Sequence, residues 1–494
     1  MKRTYLLFTS LMFLCMGCND FLDETNPSNF MQDSYFTKPE HALSIINSIY
    51  ADLRYSAEND AGGQPYFMTD FQTGFAGTRT QNINLHKIAS VTNDADNQYS
   101  RSWWRYPFRS ISNANTALAR IPDIVMDENL KRRYIGEAYF LRAYNYFNMV
   151  RLYGNIPLVL NPVDASSPEL YPEQAPVEKV YESIVSDLQE AEKSNMPWTD
   201  ESGRATMTAV KSLLANVYLT MAGYPLQKGS DYYSLAAAKA KEVIDSKACY
   251  LFDEYSDLRD PEMGNKGEFI FMVQYQIGVV ENPFQGLYLP YNLDISYYAA
   301  EAGSLYVTED FVKSHEEGDK RAKEQQFYYS SFTSNADRTQ IVEFGYYHLF
   351  KFFDMDAHLY TSRSGLNYPL LRYSDLVLMY AEAQNETGGN MDEAYFWLNE
   401  IRKRAELKEL EGLSQSEFRE AVWKERYYEL AFENKIWFDM ARTRKVLNIT
   451  TGLFDNYVGH KFTYGPVLTE RELLFPIPTR ESKNNTKLIQ NTGY

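Results

Sequence analysis

Residues 132–154 read RRYIGEAYFLRAYNYFNMVRLYG. Apolar side chains surround this segment almost completely. Only a narrow polar line interrupts them, at Arg142, Asn145, Asn148 and Arg151. A helix that is apolar nearly all round belongs between other helices, not on a surface. Tyr153-Gly154 stops it, glycine being the residue that closes a helix most easily. Asn155-Ile156-Pro157-Leu158-Val159 then runs extended.

Working outward, more helices are predicted. Pro39-Glu40 opens one, with Thr37 as cap and apolar positions Leu43, Ile46, Ile49, Tyr50 and Leu53 at helical spacing. Helices resume at Trp103. Val177 to Ala191 is amphipathic, and Thr206 to Ala222 with Tyr233 to Ile244 forms a helical hairpin. Leu371 to Thr387 and Met391 to Arg404 form a second pair across Gly388-Gly389-Asn390, and Glu417 to Arg444 is a further helical stretch. Small Ala sits beside large Tyr at Ala138-Tyr139, Ala215/Tyr218 and Tyr380-Ala381. Hairpins packed through such pairs resemble tetratricopeptide (TPR) repeats, here discontinuous and separated by insertions. Between Leu251 and Tyr368 the helical period is mostly lost, short apolar runs such as FIFMVQY (269–275) appear, and aromatics are dense.

The chain starts with Met1-Lys2-Arg3, an apolar run from Tyr5 to Leu14, small Gly17 and then Cys18. A basic head, a short apolar stretch and a small residue describe a secretory signal. The cysteine after it reads as a lipoprotein site: signal 1–17, lipidation at Cys18, and a polar tether over 18–37. The apolar run is shorter than the ~20 residues a spanning helix needs. The body is read as 38–494, with a helical part to 250, a loop-rich ligand-side insertion over 251–370 and a helical part with tail from 371. Cys15 leaves with the signal and Cys18 takes lipid, so Cys249 has no disulfide partner and is expected as a buried, inert thiol.

Net charge is −17, and two units more negative once Lys2 and Arg3 leave. That argues against nucleic acid and anionic membrane surfaces as partners and suits a neutral ligand. No nucleotide-loop, serine-hydrolase or dinucleotide motif is present, and the six histidines include no i, i+4 pair. Asp94 and Asp96 lie in a loop that lacks the turn glycine and terminal Glu of a calcium loop, so it reads as solvated. No metal or cofactor is expected. Glu425, Glu429 and Glu433 share one helix face. They are read as structural ion pairs, with Arg426, Lys435 or Arg442 as partners, rather than as catalytic acids.

The 40 Tyr, against 29 Phe and 6 Trp, point to amphipathic ring surfaces. Sugars present apolar C–H faces and hydroxyl rims, so their sites need aromatic faces beside Asn, Gln, Asp or Arg. Two irregular segments have that make-up. Tyr66 to Asn84 offers Phe71, Phe75, Arg79 and Asn82; Pro283 to Tyr306 offers Tyr288, Tyr291, Asn292, Tyr297 and Tyr298. These nine are the expected ligand residues.

Six motifs in order resemble the RagB/SusD family of outer-membrane nutrient-binding lipoproteins. They are CNDFLDETNPSNF, WWRYPFRSISNANTALARIP, EAYFLRAYNYFNMVRLYGNIPLV, GRATMTAVKSLLANVYL, LRYSDLVLMYAEAQNETG with LNEIRKRA, and ERYYELAFENKIWFDMAR with LLFPIPTRESKNNTKLIQNTGY. Two departures are visible. Asn434 and Ile436 stand where Gly and Arg are usual, and Asn485-Thr486 and Asn491-Thr492 stand where Asn-Pro is usual. The resemblance implies a mainly α, TPR-containing right-handed superhelix with a loop-rich, minor-β face. It implies surface anchoring at the outer membrane through the N-terminal lipid. It also implies delivery of an oligosaccharide to a SusC-like TonB-dependent transporter, without catalysis. It transfers no ligand residue. A surface glycoside hydrolase, needing a carboxylate pair ~5–10 Å apart, and a peptide-binding member of the family stay open as alternatives.

Overall fold

The computed structural model describes residues 35–54, 68–297 and 300–494. The expected signal, Cys18, most of the tether, Tyr66, Phe67 and Tyr298 lie outside these residues. The fold is mainly α. Helix α1 is Pro39–Asp52, α2 Gln98–Arg120, α3 Glu128–Tyr153, α4 Val177–Glu192, α5 Met207–Ala222 and α6 Ser230–Ser246. After the insertion come α7 Tyr373–Thr387, α8 Met391–Arg404, α9 Gln415–Glu429 and α10 Ile436–Thr443. Neighbours in sequence pack in turn through α6. Helix α7 then packs on α6, so the helical stack continues across the insertion. Pro39 sits in the first turn of α1 as expected, but the cap position is Lys38, not Thr37.

Helix α3 lies at the centre, as its all-round apolar face requires. Its polar line is used for helix-to-helix bonding. Arg142 forks onto Asp187 of α4 (2.6 and 2.8 Å), and Asn145 donates to Ser110 of α2 at 2.9 Å. Buried Glu137 accepts from Tyr50 of α1 and from Arg133, each at 3.0 Å. Gly154, at φ +71°, ends the helix.

The expected single helix over 417–444 is two helices. The chain breaks at residues 430–435, where Phe432 and Asn434 take left-handed φ values of +64° and +57°. Asn tolerates that region better than most side chains. The position where Asn replaces the family's usual Gly is therefore a bend. The break turns α10 away from α9 and buries Trp437 fully.

Glu425 and Glu429 of α9 and Glu433, which lies in the break beyond it and not on the same helix as expected, are structural, but their partners differ from those expected. Glu425 binds Arg321 and Arg402, Glu429 binds Arg372 and Arg404 (both 2.8 Å), and Glu433 binds Lys351 and Arg372. Arg426 and Arg442 instead hold Asp375, Asp439 and Glu382, while the Lys435 ammonium donates to the carbonyl of Leu370. The strand Tyr368–Arg372 brings Arg372 into the network, so the network ties the insertion to the scaffold. Cys249 packs against the core, and burial, then the charge of Glu268, pushes its thiol up to about 12.

Candidate functional site

Four short antiparallel strands, three from the insertion and one from the segment before α2, form one sheet. They are β1 Ala76–Gly77, β2 Tyr306–Val307, β3 Tyr328–Thr333 and β4 Ile341–Leu349, in the order β1-β2-β4-β3. Pairing of Gly77 with Tyr306 joins the two aromatic segments singled out in the sequence, although more than 200 positions separate them. Only a bare glycine fits at 77, since a Cβ there would lie 2.3 Å from the Tyr306 ring. Past β1, the amides of Arg79 and Thr80 donate to the carbonyl of Gly303 at 3.0 and 3.2 Å.

Above this junction sits a cluster of rings around one cation. The Arg79 guanidinium lies 4.4 Å from the Tyr346 ring centre and 5.4 Å from that of Tyr306. The two rings meet edge-on, with centroids 5.8 Å apart. Phe462 and Tyr464, from a hairpin near the C-terminus, stack face to face at 5.4 Å and 5°, and Phe462 seats on Gly74. Burial, then the neighbouring Tyr306, raises the Tyr464 phenol. Tyr346, Phe462 and Tyr464 were missed in the sequence. Tyr346 shares strand parity with Phe344 and His348, a signal for one face of a sheet. Nothing local marks the 457–468 hairpin as part of the site.

The second segment forms a loop pinned by one carboxylate. Glu301 accepts from the consecutive amides of Leu293, Asp294, Ile295 and Ser296, at 2.5 to 3.0 Å. Asn292 and Asp294 take φ +53°, which lets the backbone wrap around it. The loop presents Tyr291, 45 % exposed, beside Gly303, and Tyr297, 51 % exposed, with the Arg338 guanidinium 4.2 Å from its ring centre.

The nine expected residues therefore divide. Arg79, Tyr291, Asn292 and Tyr297 lie at the surface of this face. Phe71, Phe75 and Tyr288 do not: they are 0 %, 0 % and 1 % exposed and belong to the core. Phe75 packs between Phe311 and Phe432, at 4.9 and 4.7 Å. Asn82 is a cap. Its Oδ1 accepts from the amides of Asn84 and Leu85, and its Nδ2 donates to the Tyr99 hydroxyl. The three buried rings share one cause: loops rich in aromatics anchor themselves by placing some of their rings in the core. Asp94 is held by Lys87 and by the amide of Asp96.

The face can stack apolar sugar faces on Tyr346, Tyr306, Tyr464 and Tyr291 and donate from Arg79. Asp70, behind the cluster, is fully buried, and burial, with the charge of Glu433 adding to it, raises its pKa well above the carboxylate range.

Comparison with known proteins agrees with this architecture. A family model described as "SusD family" matches residues 289–494, and one described as "Starch-binding associating with outer membrane" matches 20–219. A crystal structure of a SusD superfamily protein from Parabacteroides distasonis is 37 % identical. It superposes with a TM-score of 0.88 over 92 % of this chain and 99 % of that one. SusD-like protein P2 of Formosa agariphila is 27 % identical over the full length of both chains. A laminarin-binding SusD-like protein, 23 % identical, has the same fold, with a TM-score of 0.74 over 93 % of this chain and 100 % of its own. The chain belongs to the SusD/RagB family. Among the described residues no helix is long and apolar enough to cross a membrane.

Proposed function

We propose that this protein is a non-catalytic receptor that captures an oligosaccharide at the cell surface and hands it to a SusC-like TonB-dependent transporter. The observation that carries the reading is the Arg79 guanidinium over the rings of Tyr306 and Tyr346, with Tyr464 near Tyr306, beside the Glu301-pinned loop. Rings of this kind stack on sugars, and the guanidinium serves hydroxyls. The laminarin-binding relative is consistent with a glucan or similar chain as ligand. In this reading residues 1–17 are the signal, acyl chains on Cys18 hold the protein to the outer membrane, and 18–37 is the tether. The reading without catalysis is supported by Glu425, Glu429 and Glu433, which are buried and held by guanidinium or ammonium groups, and by Asp70, which is sealed.

The test is calorimetry of the chain from residue 19 onward against a panel of neutral oligosaccharides, with chromatography of each mixture. Saturable binding with intact sugar is expected. Shortened products would establish a hydrolase instead, and binding of peptides alone would move the protein to the peptide-handling branch.

A further inference from the structure

We propose that a second cleft, on the helical scaffold and built from none of the ring-cluster residues, binds the carboxylates of an acidic oligosaccharide. The cleft holds about 1140 Å³, between the end of α3, α4, the end of α5, α10 and the C-terminal tail. That volume matches or exceeds a typical small-molecule site of ~300–1,000 Å³, so a chain of several units fits it.

Two guanidiniums in the cleft have no carboxylate. Arg151 is held flat between the rings of Phe147 and Phe438, 3.7 and 3.8 Å from their centres. Its Nε donates to the carbonyl of Phe147 and one Nη to Asn148, which leaves the other Nη without a partner among the described residues. Arg444, also lining the cleft, lies 4.9 Å from the Tyr224 ring and likewise makes no ion pair among the described residues. Elsewhere on the same scaffold buried arginines are neutralised. Arg142 sits nine residues before Arg151 on α3 and is clamped to Asp187; Arg442 also lines the cleft and is clamped to Glu382. The acidic residues of the cleft, Glu173 and Glu470, are exposed, and neither is within ion-pair distance of Arg151 or Arg444. Burial lowers Arg151 to about 10, so it is still charged at neutral pH and lacks its counter-ion.

A half-buried guanidinium without a carboxylate keeps donors free, and its planar fork matches a carboxylate. Two of them lining one cleft suit a ligand whose carboxylates repeat along a chain, as in an oligouronate. The preference for a sugar acid over an acidic peptide rests on the glycan-binding reading above.

The experiment is calorimetry of the same soluble chain with trigalacturonate, with triglutamate of equal charge in parallel. Trigalacturonate is expected to bind saturably, more weakly as salt rises, and at least tenfold more weakly to Arg444→Gln. Arg151→Lys, which keeps the charge and loses the fork, should also weaken it, while Tyr346→Ala should leave it unchanged. Thermal melts confirm that each variant is folded. Absence of binding, indifference to both arginine variants, or loss in Tyr346→Ala would overturn the cleft assignment. Equal or tighter binding of triglutamate would overturn the sugar-acid assignment. Neutral oligosaccharides, titrated separately, report on the ring cluster, so failure of one site does not mask the other.

Discussion

The amide of Arg79 donates to the carbonyl of Gly303 at 3.0 Å, and the Arg79 side chain then turns back over Tyr346 and Tyr306. This bond fastens the loop after β1 to the loop that carries Tyr291 and Tyr297. A cation between two rings gains from their negative faces, by ~0.5–2 kcal/mol. It also holds both rings in place when no ligand is bound, which reduces the ordering cost of binding.

Tyr346→Ala and Tyr306→Ala should each weaken oligosaccharide binding roughly tenfold, equivalent to about 1.4 kcal/mol. Both rings are partly exposed, so melting temperatures should change little. Calorimetry with melts on the same samples checks both points. Unchanged affinity in both variants, with wild type binding, would move the ligand off this cluster.

Phe75→Ala should behave in the opposite way. The ring is fully buried among Phe311, Tyr427 and Phe432, so its removal leaves a cavity and should cost ~3–5 kcal/mol of stability. Urea denaturation measures it. Affinity of the molecules that remain folded should stay near that of wild type.

The helical scaffold was legible because its signals are local. The all-round apolar pattern of 132–154 placed α3 between its neighbours, and Gly154 marked its end. The bend at Phe432 and Asn434 was not legible from periodicity, because the apolar pattern runs through it and two left-handed residues make the turn. Around the site, composition singled out both segments, which pair through Gly77 and Tyr306. It could not tell Tyr291, which faces solvent, from Tyr288, three residues earlier and buried. Tyr464 was invisible for a different reason. It reaches the cluster by a long-range fold contact, and no spacing in the sequence records that.

Glu301→Ala should loosen the ligand-side loop without unfolding the protein. One carboxylate receives four consecutive amides, and hydrogen bonds to a charged acceptor are worth ~1.5–3 kcal/mol each. Hydrogen exchange at residues 293–296 should rise at least tenfold. Glu301→Gln, which keeps one acceptor oxygen, should fall between the two.

Glu429→Gln should destabilise the junction of scaffold and insertion. Glu429 is fully buried and contacts Arg372 and Arg404. Losing the charge leaves both guanidiniums short of a counter-ion, at ~3–5 kcal/mol. A single cooperative urea transition shifted to lower concentration is expected. A midpoint unchanged from wild type would show that Glu268 and Glu433 neutralise the arginines by themselves.

Acid should unfold the protein in two windows, one for each kind of buried group. His348 is sealed among Tyr329, Phe344 and Tyr346, and burial lowers its pKa from 6.5 to about 3. The unfolded chain therefore takes up a proton below pH 6.5 that the folded chain refuses. Its contribution is complete above pH 6.5 and is lost as pH falls toward 3, at about 1.4 kcal/mol per pH unit. Glu429 follows the carboxylate pattern. Burial opposes its ionisation, but Arg404, Arg372 and Arg321 prevail and hold it at about 2. Its contribution is present above pH 4.5 and is lost between 4.5 and 2. His348→Phe, which keeps a ring among rings, should reduce the slope between pH 6.5 and 4.5 by one proton's share, with buried His315 and His358, each lowered to about 4, keeping the rest, and should leave the lower window steep. Urea midpoints at half-unit intervals measure it, and a variant with the wild-type slope in the upper window would assign that slope to other groups.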